Sequence, residues 1–309
     1  MQLYINEFIL FNHINMISIV IPTYNNLDYL KLCLNSINKN SKYSHEIKLH
    51  INDGSDGTLE FAKKNNIFFT HSKTNIGLCS AINTVCSTVN NKYILYAHDD
   101  MYFCPDWDIS LLNEIKEIKH DKFFLSGTLI EAYTGHIVLD CGDKFNNFDE
   151  NKLLKNYKSK NFYNYQGSHY APHLVSKRVW EKVGGFSEEF NPGVASDPDF
   201  NMKLWHEGVR IFKGINDFKV YHFASIVTKK LNDPITRKTN IKRKGSKIFL
   251  LKWGISVKFF KRFYLKTNSK FINPLTEPKK NSKYLFNFIL CKINYMYIKI
   301  FYNKLYNKN

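Results

Sequence analysis

The sequence predicts an α/β protein with a mainly parallel central sheet flanked by helices and a basic helical extension at its C-terminus. Three observations predict it. In the first hundred residues, apolar runs of strand length alternate with segments of helical period, the pattern of a parallel sheet with right-handed crossovers. Polar clusters follow the first, second and fourth of these runs, and in such sheets ligands bind outside the carboxyl ends of the strands. The charge is divided along the chain. The 309 residues hold 44 Lys and Arg and 27 Asp and Glu, of which 21 basic and 2 acidic residues lie from Lys229 to Asn309; that segment carries +19 and the rest −2.

The elements follow in order. Residues 17–21 (ISIVI) form a β-branched run that fits a strand buried on both faces. Leu27, Leu30, Leu34 and Ile37 recur at helical spacing. Residues 46–51 read as a second strand that ends in the turn-forming string NDGSDGT, where Ser55 or Asp56 is placed to cap the next helix. Residues 67–70 read as a third strand, 78–89 as a helix and 92–97 as a fourth strand leading into His98-Asp99-Asp100. Beyond these, residues 123–130 and 135–139 read as strands and 177–183 as a short helix closed by Gly184-Gly185. A helix over 197–208 opens on acids and stops at a glycine, and 209–212 and 218–222 read as the last two strands.

Composition excludes several classes. A hydrophobic content of 44% and an aromatic content of 16% rule out a disordered chain, and only 14 Gly and 8 Pro rule out collagen-like or Pro-rich architecture. The six cysteines form no C-x-x-C pair, so neither a zinc ribbon nor a redox motif is indicated, and a reduced, cytoplasmic chain is expected. No apolar run reaches the ~18–20 residues of a membrane-spanning helix, and the N-terminus lacks a secretory pattern. The first strand starts directly after Met16, so residues 1–15 are expected to be an extension, 16–228 the main domain and 229–309 the basic tail.

Three acidic positions could carry chemistry. Asp99-Asp100 are adjacent carboxylates at a strand end, which repel unless a cation neutralises them. Oxygen ligands without a local cysteine favour Mg²⁺ or Mn²⁺; taken alone, the pair reads equally well as a solvated turn. Asp197 and Asp199 open the helix after Ala195-Ser196, where acids stabilise the N-terminus by about 0.3–1 kcal/mol. That is the expected role of Asp199, whereas Asp197 is also placed to act as a general base. His222 ends the last strand and could supply a nitrogen to the same cation.

Taken together, ISIVIPTYN (17–25), NDGSDGT (52–58), Asn75-Ile76-Gly77 followed by Asn83, His98-Asp99-Asp100, Gly184-Gly185-Phe186 and Ser196-Asp197-Pro198-Asp199 resemble, in order and spacing, the family 2 glycosyltransferases of the GT-A fold. The resemblance covers about two thirds of the chain. It implies that Pro22, Thr23 and Tyr24 grip a nucleotide base, that Asp53 bonds its ring, and that Lys73 and Asn75 lie near base and diphosphate. It also implies that Asp99 meets the ribose, that Asp100 binds the metal with His222 as a further contact, and that Asp197 is the catalytic base. Gly185, Phe186 and Ser196 would lie on the acceptor side. The sequence departs from the family pattern in DGSDGT, one residue shorter than DGSTDGT, in Ser196 where a Glu is usual, and in His98 before the acids. The absence of a Q-x-x-R-W motif argues for single-sugar transfer rather than processive synthesis.

The expected activity is therefore an inverting, Mn²⁺- or Mg²⁺-dependent transfer of one sugar from a nucleotide-sugar, a UDP-sugar first, to a hydroxyl of a surface glycan such as lipopolysaccharide or of a lipid-linked acceptor. A sugar-1-phosphate nucleotidyltransferase would place a Gly-rich loop where PTYN stands. A catalytically silent glycan- or membrane-binding module on the same fold remains the alternative, kept open by Ser196 and Pro198. In the tail, the apolar residues of 248–265 and 284–306 alternate with lysines, as in interfacial helices on an anionic inner leaflet. Helices packed on the main domain with solvated lysines would give the same composition. No nucleic-acid-binding pattern is present.

Overall fold

The computed structural model describes residues 17–160, 162–223, 235–267 and 269–306. The expected N-terminal extension lies outside these residues. One sheet of eleven strands organises the chain. Its first half is parallel: β1 (Ile17–Tyr24) lies between β2 (Glu46–Asn52) and β4 (Tyr93–Tyr96), and β3 (Phe68–Ser72) flanks β2. Ile17, Ile19, Val20 and Ile21 are fully buried, which is why residues on both faces of β1 are apolar. The helix α1 (Leu27–Asn40) turns Leu30, Cys33, Leu34 and Ile37 onto this sheet. A single carboxylate serves two helix starts: Asp56 accepts from Leu27 N at 2.9 Å and from Thr58 N, the start of α2 (Thr58–Lys64), at 3.1 Å. The third helix, α3 (Leu78–Cys86), ends three residues before the expected Val89.

The second half is mixed. β5 (Met101–Phe103), α4 (Trp107–Glu117), β6 (Phe123–Glu131), the short β7 (Ile137–Val138), α5 (Glu150–Asn156), β8 (Tyr165–Gln166), β9 (His173–Ser176), α6 (Lys177–Val183) and α7 (Ser196–His206) precede the long β10 (Ile211–His222). β9 runs antiparallel between β4 and β6 and joins the two halves. The two last strands expected from sequence are one strand. β10 pairs with β6 on both sides of a break, where the register shifts between Ile215 and Lys219, so that Asn216, Asp217 and Phe218 bulge from the ladder.

The C-terminal segment continues the same core. It holds α8 (Ile235–Trp253), α9 (Val257–Phe259) running into a π-helical turn over Phe260–Tyr264, the edge strand β11 (Ser269–Lys270) paired to β8, and α10 (Ser282–Tyr306). Phe249, Leu250, Ile255, Phe259, Phe260 and Leu265 are buried and belong to the hydrophobic cluster that starts at β1. For these residues the interfacial reading is corrected. Their aromatic and aliphatic side chains find apolar partners inside the protein, so they are not available to a lipid surface.

Candidate active site at the strand ends

The polar clusters after β1, β2 and β4 meet on one edge of the sheet. Thr23 donates from Oγ1 to Asp99 Oδ2 at 2.7 Å, and both residues are buried. A hydrogen bond to a charged group contributes about 1.5–3 kcal/mol, which here fixes the carboxylate at the end of β4 against β1. Asn25, in the left-handed region at φ 46°, donates from Nδ2 to Asp53 Oδ2 at 2.9 Å and accepts from Gly54 N at 2.9 Å. The bonds from Asn25 and Ser55 hold the Asp53 carboxyl below its ordinary range. Pro22 stands beyond Val20, the last β1 residue paired to β4, and Tyr24 ends the strand beside Asn52. Lys73 and Asn75 are exposed on the loop after β3. That loop is drawn to the same edge because Asn52 Oδ1 accepts from Ser72 Oγ and from Ile76 N, each at 3.0 Å.

A second group forms where β10 returns. His222 pairs with Met101 of β5, which sets its ring beside Asp100. His98, Asp100 and His222 each offer one ligand atom, all within 4.8 Å of one another. His222 Nε2 lies 3.5 Å and His98 Nδ1 3.9 Å from Asp100 Oδ1. The other ring nitrogen of His222 is 2.7 Å from Glu131 Oε1, the arrangement that orients a metal-ligating imidazole. Burial lowers His98 to about 4. At His222 burial acts in the same direction, but Asp100 and Glu131 outweigh it and raise the ring to about 10. One carboxylate and two imidazoles are a donor set that suits a divalent first-row cation. Sequence reasoning had noted His98 without a role and had missed Glu131. The adjacency of His98 to the acids was a usable signal for the first, whereas Glu131 is 91 residues from His222 and reaches it only through the β6–β10 register.

The third part is the start of α7. Asp197 sits in the first turn, with Oδ1 out of solvent and without a hydrogen-bond partner. Burial pushes this carboxyl up to about 7. Pro198 follows in the first turn, where its missing N–H leaves no bond unmade, and Ser196 is buried with its Oγ donating to Gly193 O at 2.6 Å. Asp199 differs from its expected role. It lies in the first turn, but its buried carboxylate accepts from Ser187 Oγ at 2.6 Å and Trp253 Nε1 at 2.8 Å, with Lys252 Nζ at 3.0 Å. One oxygen is taken by Ser187 and the other by Trp253 and Lys252, so it ties α7 to the preceding loop and to α8 rather than capping a helix. The turn before α7 is equally fixed. Gly185 has φ +57°, and a Cβ there would come within 2.5 Å of Asn83 Oδ1. Asn83 also bonds both backbone polar groups of Phe186, at 2.9 and 2.8 Å. The Phe186 ring is buried against Tyr96, Trp180 and Phe200, so it supports this loop from below.

Comparison with known proteins agrees with this geometry. The family model described as Glycosyl transferase family 2 matches residues 18–174. Hyaluronan synthase of Pasteurella multocida is 29% identical over 236 residues, 71% of this chain and 22% of the relative. Chondroitin synthase of P. multocida strain Pm70 is 29% identical over 218 residues, 66% of this chain and 20% of the relative. The chain thus spans about a fifth of the length of these two relatives. Among solved structures, S. aureus TarS 1–349 superposes with a TM-score of 0.52 at 17% identity, covering 76% of this chain and 71% of that one. Its complex with UDP gives 0.51 at 13% identity, covering 78% and 73%. GalNAc-T7 with UDP, GalNAc and Mn²⁺ gives 0.52 at 15% identity, covering 68% and 44%. These likenesses show the shared fold.

Proposed function

The chain belongs to glycosyl transferase family 2, and on that premise we propose that it moves a single sugar from a UDP-sugar to a hydroxyl of a glycan acceptor, with inversion at the anomeric carbon. The observation that supports this most is the meeting, at one sheet edge, of a paired carboxylate rim and a three-ligand cation group, with an unpartnered, poised carboxylate at the start of α7. The donor is assigned by chemistry and by likeness. Asp53, held ionised by Asn25, would accept from a ring N–H of the base, with Pro22, Thr23 and Tyr24 alongside it. Asp99, fixed by Thr23, would meet the ribose, and Lys73 with Asn75 the base and diphosphate. TarS and GalNAc-T7 share this fold and are both described with UDP.

Asp100 and His222, joined by His98, would hold a divalent cation. Mn²⁺ suits two imidazoles better than Mg²⁺ does, and GalNAc-T7 is described with Mn²⁺. When bound, such an ion neutralises charge on the departing diphosphate. Glu131 holds the His222 ring so that Nε2 faces the site. Asp197 takes the proton of the acceptor hydroxyl as its oxygen bonds the anomeric carbon, while the bond from that carbon to the diphosphate breaks on the opposite face. A base with a pKa near 7 is matched to that task. Gly185, Phe186 and Ser196 serve the acceptor side by setting the shape of the loop beside Asp197. The Pasteurella relatives are polysaccharide synthases by name, so a growing surface glycan, free or lipid-linked, is the acceptor class. Buried, free thiols at all six cysteines suit work on the cytoplasmic side.

The test is a donor screen with UDP-sugars and Mn²⁺, reading UDP release with oligosaccharide acceptors, on wild type and Asp197→Asn. Acceptor-dependent release by the wild type, lost in the variant while UDP still binds, is the expected result. Equal acceptor-dependent release by both would remove Asp197 as the base, and none from any donor by a wild type that binds UDP would favour the silent binding module.

A further inference from the structure

We propose that α10 is an interfacial helix that docks the protein in the plane of an anionic lipid surface. Its two faces are chemically alike and structurally opposite. Tyr284 and Cys291 are buried, and Phe288, Tyr295 and Ile298 pack against the same core. On the other side Leu285, Phe286, Ile289, Ile293, Met296 and Ile300 are 48–64% exposed as part of one apolar face. At about 100° per residue they fall within an arc of roughly 100°. This is a continuous stripe of large aliphatic and aromatic side chains, far from the singly scattered exposed residues of an ordinary surface.

The flanks decide the occupant. Exposed Lys292 and Lys299 border one side of the stripe and exposed Lys283 the other, and the helix contains no acidic residue. The chain from Lys229 onward carries 21 basic and 2 acidic residues. An apolar stripe edged by lysines matches the acyl boundary and the anionic headgroups of a lipid leaflet. A second copy of the chain would bring the same lysines face to face. Among the described residues no helix is long and apolar enough to cross a membrane, so the helix lies in the surface. The stripe is also tied to the site. α10 packs on α8. α8 in turn reaches α7 through Trp253 and Lys252 on Asp199, and lies so close to the preceding loop that a Cβ at Gly245 would be 2.3 Å from Val194 O. A docked α10 would therefore hold the Asp197 side of the cleft at a fixed distance from the lipid, as a lipid-linked acceptor requires. The docking does not depend on which reaction the cleft performs.

The test is co-sedimentation of the full chain with phosphatidylcholine vesicles containing about one third phosphatidylglycerol, and with pure phosphatidylcholine vesicles, at 0.1 M salt. The expected result is binding to the mixed vesicles that is about tenfold or more weaker on pure phosphatidylcholine. Phe286→Glu with Ile293→Glu, both on the exposed stripe, should abolish it without changing UDP binding or the thermal midpoint. If that variant fails to fold, Lys283→Gln with Lys292→Gln and Lys299→Gln should weaken binding to mixed vesicles on the order of a hundredfold. No binding to mixed vesicles, equal binding to both vesicle types, or undiminished binding by the variants would overturn the proposal. So would dimers in sedimentation velocity that the glutamate variant dissolves, since a second copy would then cover the stripe.

Discussion

At the ends of β1, β2 and β4, Asp53 and Asp99 each accept a bond of 2.9 Å or less from a neighbouring side chain, whereas Asp197, at the start of α7, keeps an oxygen with no partner. On the proposed function these carboxylates do different work. On the strand edge, bonded donors keep Asp53 ionised, which suits binding a ligand without taking its proton. At the start of α7, burial without compensation leaves Asp197 near 7, where it can accept a proton and release it. Asp199, two residues on, shows what the same helix turn does to an acid that is fully satisfied: Ser187 and Trp253 occupy its oxygens and it becomes structural.

The largest effect that would break this contrast is at Asp197. Asp197→Asn should lower the transfer rate by about 10²–10⁴-fold, the range of a lost general base, while UDP affinity stays within about twofold. Steady-state rates and a UDP titration on the same preparation check both halves. A smaller change is expected at Asp53. Asp53→Ala removes one charge-assisted bond of about 1.5–3 kcal/mol, so UDP should bind on the order of tenfold or more weakly, with the rate at saturating donor nearly unchanged.

The pH dependence sharpens the comparison further. Asp197 must be ionised to act, so the rate should rise with pH, reach half its plateau near pH 7 and stay level above it. Stability runs the other way. A carboxyl at about 7 in the folded chain and near its ordinary value when unfolded binds its proton more tightly folded, so ionisation weighs against the fold above about pH 4 and fully above pH 7. Asp197→Asn should accordingly raise the thermal midpoint at pH 8 and leave it unchanged near pH 4. The smallest effect concerns the satisfied acid. Trp253→Phe, which removes one donor from Asp199, should lower stability by about 1–3 kcal/mol, read as a shifted denaturation midpoint, with UDP affinity intact.

Much of the strand edge was legible in the sequence because it is local. Each polar cluster follows its own apolar run, and parallel order alone brings Thr23, Asp53 and Asp99 to one rim. The start of α7 was legible for the same reason. What was not legible depends on pairing between distant segments. Glu131 meets His222 through the β6–β10 ladder, and Trp253 meets Asp199 from the C-terminal segment. The bulge at 216–218 reads locally as the end of one strand and the start of another, since its Asn216 and Asp217 are turn residues. In the basic tail, composition was the same for residues 248–265 and for α10, and only packing separates the buried set from the exposed stripe.

The most direct measurement is a calorimetric titration of UDP, with and without Mn²⁺, into wild type, Asp100→Ala and Asp197→Asn. Metal-dependent binding by the wild type, lost in Asp100→Ala and retained in Asp197→Asn, is the predicted result. Binding that ignores Mn²⁺ and survives Asp100→Ala, or that disappears in Asp197→Asn, would contradict the division between a donor-binding edge and a proton-accepting face.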